Sequence, residues 1–128
     1  MEEKLNLLKS NAFLTLFRWS EIGNNAGSFY TIVSNDGNAY YYHNYTYETA
    51  NLRENNISKE GISDAVPVGQ EKINELVAFI NENIVGHEFS NEDKEGSLYS
   101  VTINSNGNVC FIKNDLNIYY KLKEIIDK

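Results

Sequence analysis

Side chains able to carry out chemistry are few in this chain, which has two histidines and one cysteine. His43 lies in a tyrosine-rich run and His87 follows a helical pattern, so their spacing does not predict a shared metal or acid–base site. Cys110 alternates inward in a strand pattern, where a thiol behaves as a small hydrophobe rather than as a nucleophile. We therefore expect no catalytic site, no metal and no cofactor, and an enzyme ranks third among the function classes.

Two further patterns contain residue types found in ligand sites. Glu92, Asp93 and Glu95 cluster in an acidic segment, His87–Glu95, but lack the ligand spacing of an EF-hand. Gly23 and Gly27 do not form a dinucleotide fingerprint, because no third glycine follows and no helix pattern begins there. The acidic segment is therefore predicted to be a solvated loop.

Tyrosines crowd one predicted strand, 38–47, and form the feature with the most functional weight. Alternation places Tyr41, Tyr45 and Tyr47 on one face with His43, and Tyr40 and Tyr42 on the other. Tyrosine is enriched at protein interfaces, so this stripe is a candidate partner-binding surface. The alternative is that the rings pack beneath a helix and along the sheet.

The net charge is −7, which argues against nucleic-acid binding because phosphate contacts need a cationic surface. An acidic field favours a basic protein partner, although it also serves solubility alone. The N-terminus does not resemble a signal peptide and no run is long enough to span a membrane. We expect no membrane association, and a cytoplasmic protein is the default. With 128 residues, the chain fits a single domain, 1–128.

Two hairpins organise the predicted fold. Ser28–Tyr47 turns at Asp36-Gly37 and Ser97–Lys113 turns at Asn106-Gly107, and both dipeptides suit a type I′ turn. Each hairpin precedes an amphipathic helix, which gives two similar hairpin–helix units, 28–85 and 97–127. An ancient duplication explains this similarity, and so do the shared demands of hairpin turns.

The helices follow from apolar periodicity. Gly69–Val85 places Ile73, Leu76, Val77 and Ile80 on one face, which we expect to be buried against the sheet. Further elements complete the chain: a short N-terminal helix within 1–9, a strand at Ala12–Ser20, a turn at 21–27, a long loop at 48–67 with one helical turn at 48–54, and a helix at Leu116–Asp127 capped by Asp115. The predicted class is α+β, with an antiparallel sheet of about five strands covered on its inner face by the central and C-terminal helices.

The runs FRWSEIGNNAGSFYTI, VPVGQEKINELVAFI and SLYSVTI follow one another in a layout that resembles emfourin-type inhibitors of thermolysin-like metalloproteases. The family has an early strand, a short Gly-Gly-x-Ala-Gly turn, a central helix, a second hairpin and a terminal helix. Here the turn reads Gly23-Asn24-Asn25-Ala26-Gly27, so the paired glycines are broken, and no binding residue is carried over. The small, acidic, motif-free profile is also similar to that of bacterial toxin-immunity proteins.

The function expected from the sequence is that of a non-enzymatic protein-binding inhibitor, of immunity-protein or protease-inhibitor type, which covers the site of a basic partner. Its predicted partner-binding residues are the tyrosines and acids named above: Tyr41, Tyr45, Tyr47, Glu92, Asp93 and Glu95. The alternative is a small-molecule binding domain with a tyrosine-lined pocket between sheet and helix.

Overall fold

The computed structural model describes residues 2–20, 27–45, 60–105 and 107–128, with the backbone alone described at positions 2, 44, 45 and 60. Its elements are α1 Glu2–Ser10, β1 Ala12–Ser20, β2 Gly27–Ser34, β3 Asn38–Tyr45, β4 Glu60–Ile62, β5 Val66–Pro67, α2 Gln70–Asn83, β6 Ser97–Ser105, β7 Asn108–Lys113 and α3 Leu116–Asp127. The predicted turn at 21–27, except Gly27, and the predicted helical turn at 48–54 lie outside the described residues.

The strands form one antiparallel, seven-stranded sheet in the order β4-β3-β2-β1-β6-β7, with β5 also paired to β3. The α+β class is confirmed, but the strand count exceeds the predicted five because the polar segment before α2 contains β4 and β5. Both are short strands that cover the outer edge of β3. Pro67 fits at such an edge because its missing N–H faces away from the ladder.

One face of the sheet, called the helix-covered face, carries α2 and α3 as predicted. Leu14 and Leu16 of β1, together with Leu76 of α2, are fully buried there. Leu122 and Ile126 of α3 close the other half of the same core. Tyr99, Val101 and Ile103 share this face with Cys110 and Ile112, which confirms the predicted facing of the second hairpin.

The predicted buried face of α2 is only partly right. Leu76 and Ile80 are buried, but Val77 is 44% exposed and Ile73 is half-buried. Helix α2 lies beside α3 and is buried along a narrower stripe than the four-residue pattern suggests. The helix ends at Asn83, two residues before the predicted Val85, and a turn follows in which Gly86 has φ +80°, a left-handed conformation that glycine adopts readily.

The opposite face carries α1, which packs Leu5 and Leu8 against Ile32 of β2. Tyr40 and Tyr42 lie on this face, as their alternation predicts. Further along it, Phe17, Tyr30 and Tyr42 form a ladder across three strands, with ring centroids 4.7 Å and 5.8 Å apart. Helix α1 contacts this ladder, because the Lys9 ammonium lies 5.2 Å from the centroid of the Tyr30 ring.

The turn of the first hairpin differs from the predicted type I′. Among the described residues only Asn91 and Asn114 have positive φ without being glycine, so Asp36 does not adopt the required conformation. Instead Gly37, at φ +85°, donates its N–H to the Ser34 carbonyl at 3.1 Å. This is a three-residue loop with a glycine bulge, a common alternative for Asn-Asp-Gly sequences. In the second hairpin Gly107 has φ +86°, and Asn106 lies outside the described residues.

The two hairpins flank β1, since β2 and β6 both pair with it. Arg18 lies opposite Phe29 on one side and Tyr99 on the other. The tyrosine that follows Phe29, Tyr30, therefore faces away from Tyr99, although the sequence similarity of the two hairpins aligns these tyrosines. The duplication stays a prediction.

Candidate functional site

The acidic segment, residues 87–95, leads from α2 to β6 without regular structure, as predicted. Every charged side chain in it other than Lys94 is a carboxylate, if His87 is taken as neutral. Glu88, Glu92, Asp93 and Glu95 are all exposed. The segment thus presents a concentrated negative charge at one end of the sheet.

Asn91 fastens this segment to the outer edge of β7. Its side-chain oxygen accepts the Lys113 N–H at 2.7 Å, and its side-chain nitrogen donates to the Phe111 carbonyl at 3.4 Å. The amide therefore takes the place of a peptide group from a neighbouring strand. Asn91 has φ +51°, a left-handed conformation that asparagine tolerates better than most residues.

Asn114 holds the segment from the other side. Its side-chain nitrogen donates to the Glu92 carbonyl at 2.7 Å, and its side-chain oxygen accepts the Tyr99 N–H at 2.9 Å. Its own N–H donates to the Tyr99 carbonyl at 2.6 Å. Asn91 and Asn114, called the asparagine clamp, join the acidic segment to both strands of the second hairpin.

The carboxylates of the segment differ in their partners. Asp93 contacts the Lys113 ammonium, and this hydrogen bond and charge hold the pKa of Asp93 below its usual value. Among the described residues no ion pair involves Glu88, Glu92 or Glu95. Those three side chains are exposed, and no lysine or arginine in the described ranges pairs with them.

We expect replacement of Asn114 by alanine to lower the free energy of unfolding by about 1–2 kcal/mol, since two side-chain hydrogen bonds are lost. It should also speed hydrogen exchange at residues 92–97. Glycine at the same position is the matched control, because Asn114 has φ +59° and glycine relieves the backbone strain without restoring the bonds. Equal stability of Asn114→Ala and the native protein in urea unfolding would contradict the clamp.

A groove runs beside α2 on the helix-covered face. A cavity of about 460 Å³ near the first hairpin turn is floored by Phe13, Ile73 and Ile103. A second cavity of about 480 Å³ lies between the C-terminal end of α2 and β7. Ile80 and Asn81 line both cavities, so the two are adjacent. No tyrosine of the described ranges lines either cavity.

Amide and hydroxyl side chains rim this groove, including Asn35, Asn81, Asn104, Ser105 and Asn108. Such groups donate and accept hydrogen bonds without fixing a charge, and Asp36 adds one carboxylate near the first hairpin turn. An apolar floor with an amide rim suits an extended chain or a neutral ligand.

Of the predicted tyrosines, Tyr41 does not join the acidic residues. Tyr41 is half-buried on the helix-covered face, where its hydroxyl donates to Asp127 of α3 at 3.3 Å. Burial and that carboxylate raise the pKa of Tyr41 to about 12. Strands β2, β1 and β6 separate β3 from β7 and the acidic segment. The side chain of Tyr45 and the whole of Tyr47 lie outside the described residues, so the tyrosine part of the predicted site stays a prediction.

A second group of interacting side chains lies beneath α3. The Arg18 guanidinium stacks over the Phe29 ring at 4.2 Å, and His43 meets the same ring edge-on at 4.8 Å. His43 is only 4% exposed, and burial together with the charges of Arg18 and Lys123 lowers its pKa to about 4. The histidine is thus held neutral inside the fold.

Tyr99, Tyr119 and Tyr120 complete this group, with ring centroids 5.0–5.8 Å apart. The Tyr120 hydroxyl donates to that of Tyr99 at 3.2 Å. These contacts join α3 to β6 by aromatic packing. The arrangement is one of structural support rather than of an accessible pocket.

His43 lies on β3 and His87 lines the second cavity beside β7, and three strands separate β3 from β7. Within the part of the chain that the structure describes, no three histidine, cysteine, aspartate or glutamate side chains gather as metal ligands. No helix among the described residues is long and apolar enough to cross a membrane.

Sequence reasoning found the acidic segment but missed the groove and the edge of β7. A signal was present, because Val109 and Phe111 alternate with Cys110 and Ile112, which makes both faces of a predicted surface strand apolar. The sequence of this chain matches no protein-family model and no curated protein.

Proposed function

We propose that this protein is a non-enzymatic binding domain that inhibits a basic partner protein by covering its functional site. The observation that carries the proposal is the acidic segment, whose exposed Glu88, Glu92 and Glu95 are presented on a backbone fixed by the asparagine clamp. A segment already held in place loses less conformational entropy on binding than a free loop, which favours affinity.

The charge distribution supports the same proposal. Lys113 compensates Asp93, but Glu92 and Glu95 face solvent, so they offer an unpaired negative surface to a cationic partner. With a net charge of −7, the long-range field adds to this local surface and speeds encounter with positively charged proteins. An immunity protein or a protease inhibitor of this kind acts by occlusion and needs no chemistry of its own.

The test is the rate of association with a basic partner captured from the native source. Replacing Glu92 and Glu95 with lysine should lower the association rate constant about tenfold or more at low ionic strength. Added salt should likewise lower the association rate constant of the native protein. The variant Glu3→Lys/Asp64→Lys, which makes the same change in net charge at exposed positions elsewhere, is the matched control. An equal effect of both variants, or none of either, would refute the acidic segment as the binding surface.

The second candidate function is a small-molecule binding domain. The cavity of about 460 Å³ favours it, because this size and an apolar floor with amide groups suit a neutral ligand. Within the part of the chain that the structure describes, no tyrosine lines this cavity. A metabolite that raises the melting temperature equally in the native protein and in the Glu92→Lys/Glu95→Lys variant would favour this candidate over the first.

A further inference from the structure

The outer edge of β7 is open along part of its length. The Lys113 N–H points outward to Asn91, and backbone groups alternate along an antiparallel strand, so those of Val109 and Phe111 also point outward. Asn91 occupies the Phe111 carbonyl and the Lys113 N–H. Among the described residues, the Val109 carbonyl and the Phe111 N–H have no hydrogen-bond partner.

This open stretch is apolar as well as unpaired. Val109 is 65% exposed and Phe111 is 49% exposed. Proteins usually protect such edges with charge, proline or a covering loop, because an open edge pairs readily with another strand. Here the Asn91 side chain covers the edge at Lys113 and reaches no farther along β7 than the Phe111 carbonyl. The edge is therefore protected at Lys113 and open at Val109–Phe111.

The cavity of about 480 Å³ lies next to the same stretch. It is bounded by Ile84 and Val85 at the end of α2 and by Cys110 of β7. Side chains of a strand paired to β7 would alternate between the two faces of the sheet, so those on the side of Cys110 would enter this cavity. Hydrogen bonds from the edge and a pocket for alternate side chains are the two components of strand addition.

We propose that the β7 edge at Val109–Phe111 binds an extended, basic segment of the partner, with an apolar side chain in the cavity beside Cys110. This inference rests on the proposed function and names the form of the partner that the acidic segment attracts. The charge of the acidic segment favours a basic occupant, because Glu88 and Glu92 stand on either side of Asn91 in the sequence. A second copy of this chain would bring two acidic segments and two net charges of −7 together.

The probe is a synthetic nonapeptide of alternating lysine and valine, measured by calorimetry at low salt. Its control is the same peptide with N-methyl groups on the amides of alternate residues, which keeps the charge but removes the pairing edge. The control should bind about tenfold more weakly, since each lost backbone hydrogen bond weakens binding by several-fold. Equal affinity of the two peptides, or no binding of either, overturns strand addition.

Substitutions on the protein provide the complementary test. Phe111→Pro removes the outward N–H without touching the ladder to β6, whereas Phe111→Thr keeps the N–H and removes only the ring. Binding of the unmodified peptide should fall about tenfold further in Phe111→Pro than in Phe111→Thr. Bound peptide should also slow the alkylation of Cys110, the only cysteine, and protect the Phe111 amide from exchange.

The outcomes separate this inference from the proposed function. If the captured partner loses its fast association with Glu92→Lys/Glu95→Lys but binds Phe111→Pro as well as Phe111→Thr, the acidic surface stands and strand addition is wrong. If neither pair of variants affects the partner, both proposals fail. Sedimentation that shows a dimer of the native protein and a monomer of Phe111→Pro would make a second copy the occupant and overturn the inference.

Discussion

Replacing Leu76 with alanine is expected to lower the free energy of unfolding by about 2–5 kcal/mol. Leu76 is fully buried between α2 and the sheet, so truncation removes apolar burial and leaves a cavity in a close-packed core. Urea unfolding at constant pH measures the change directly.

The neighbouring residue gives a matched control for Leu76. Val77 is 44% exposed on the same helix, and alanine is the better helix former, so Val77→Ala should change the free energy of unfolding by less than about 0.5 kcal/mol. A loss below that limit for Leu76→Ala would place its side chain in solvent and refute the packing of α2. A large loss for Val77→Ala would restore the wider buried face that the sequence pattern predicts.

The second large effect is a loss of stability on acidification that depends on His43. The folded state lowers the pKa of His43 to about 4, whereas the unfolded chain should keep the ordinary value near 6.5. Between these values the unfolded state binds more protons, so stability is fully present above pH ~6.5 and falls as the pH decreases toward about 4. From pH 7.5 to pH 5 this group should contribute a loss on the order of 2 kcal/mol.

Two variants isolate that contribution. His43→Phe keeps an aromatic ring against Phe29 but cannot take up a proton, so it should flatten the decline of stability between pH 7.5 and pH 5. His87→Gln removes the other histidine, which is exposed, and should leave the decline as it is in the native protein. An unchanged decline in His43→Phe would show that other groups cause the acid sensitivity.

The elements that could be predicted from the sequence are those with strong local signals. The bounds of β1, the left-handed Gly86 after α2 and the Asp115 cap, which accepts the Ile118 N–H at 3.1 Å, all follow from patterns within a few residues. Strands β4 and β5 carry no such signal. They exist because β3 has an outer edge to pair with, and that is a property of the assembled sheet.

The candidate site divides in the same way. Its charge is visible in the sequence at Glu92 and Glu95. Its fixed geometry depends on Asn91, which bonds to a β7 residue about twenty positions later in the chain, and on Asn114, which bonds to β6 across the second hairpin. Asparagine in a polar run usually indicates only a turn. The stripe of tyrosines is the stronger signal in the sequence. Its member Tyr41 donates a hydrogen bond to Asp127 of α3.

The position of β1 between the two hairpins has a consequence for how the chain folds. Pairs within each hairpin are local, and β1 meets β2 after a short connection, but Leu14 and Leu16 must find Ile103 and Val101 near the far end of the chain. Closing that loop costs more chain entropy than any other strand pairing in the sheet, and distant pairings slow folding. We expect β6 to join last, leaving one edge of β1 open to intermolecular pairing during synthesis. Pulsed hydrogen exchange during refolding should therefore protect the amides of β2 and β3 before those by which β1 bonds to β6.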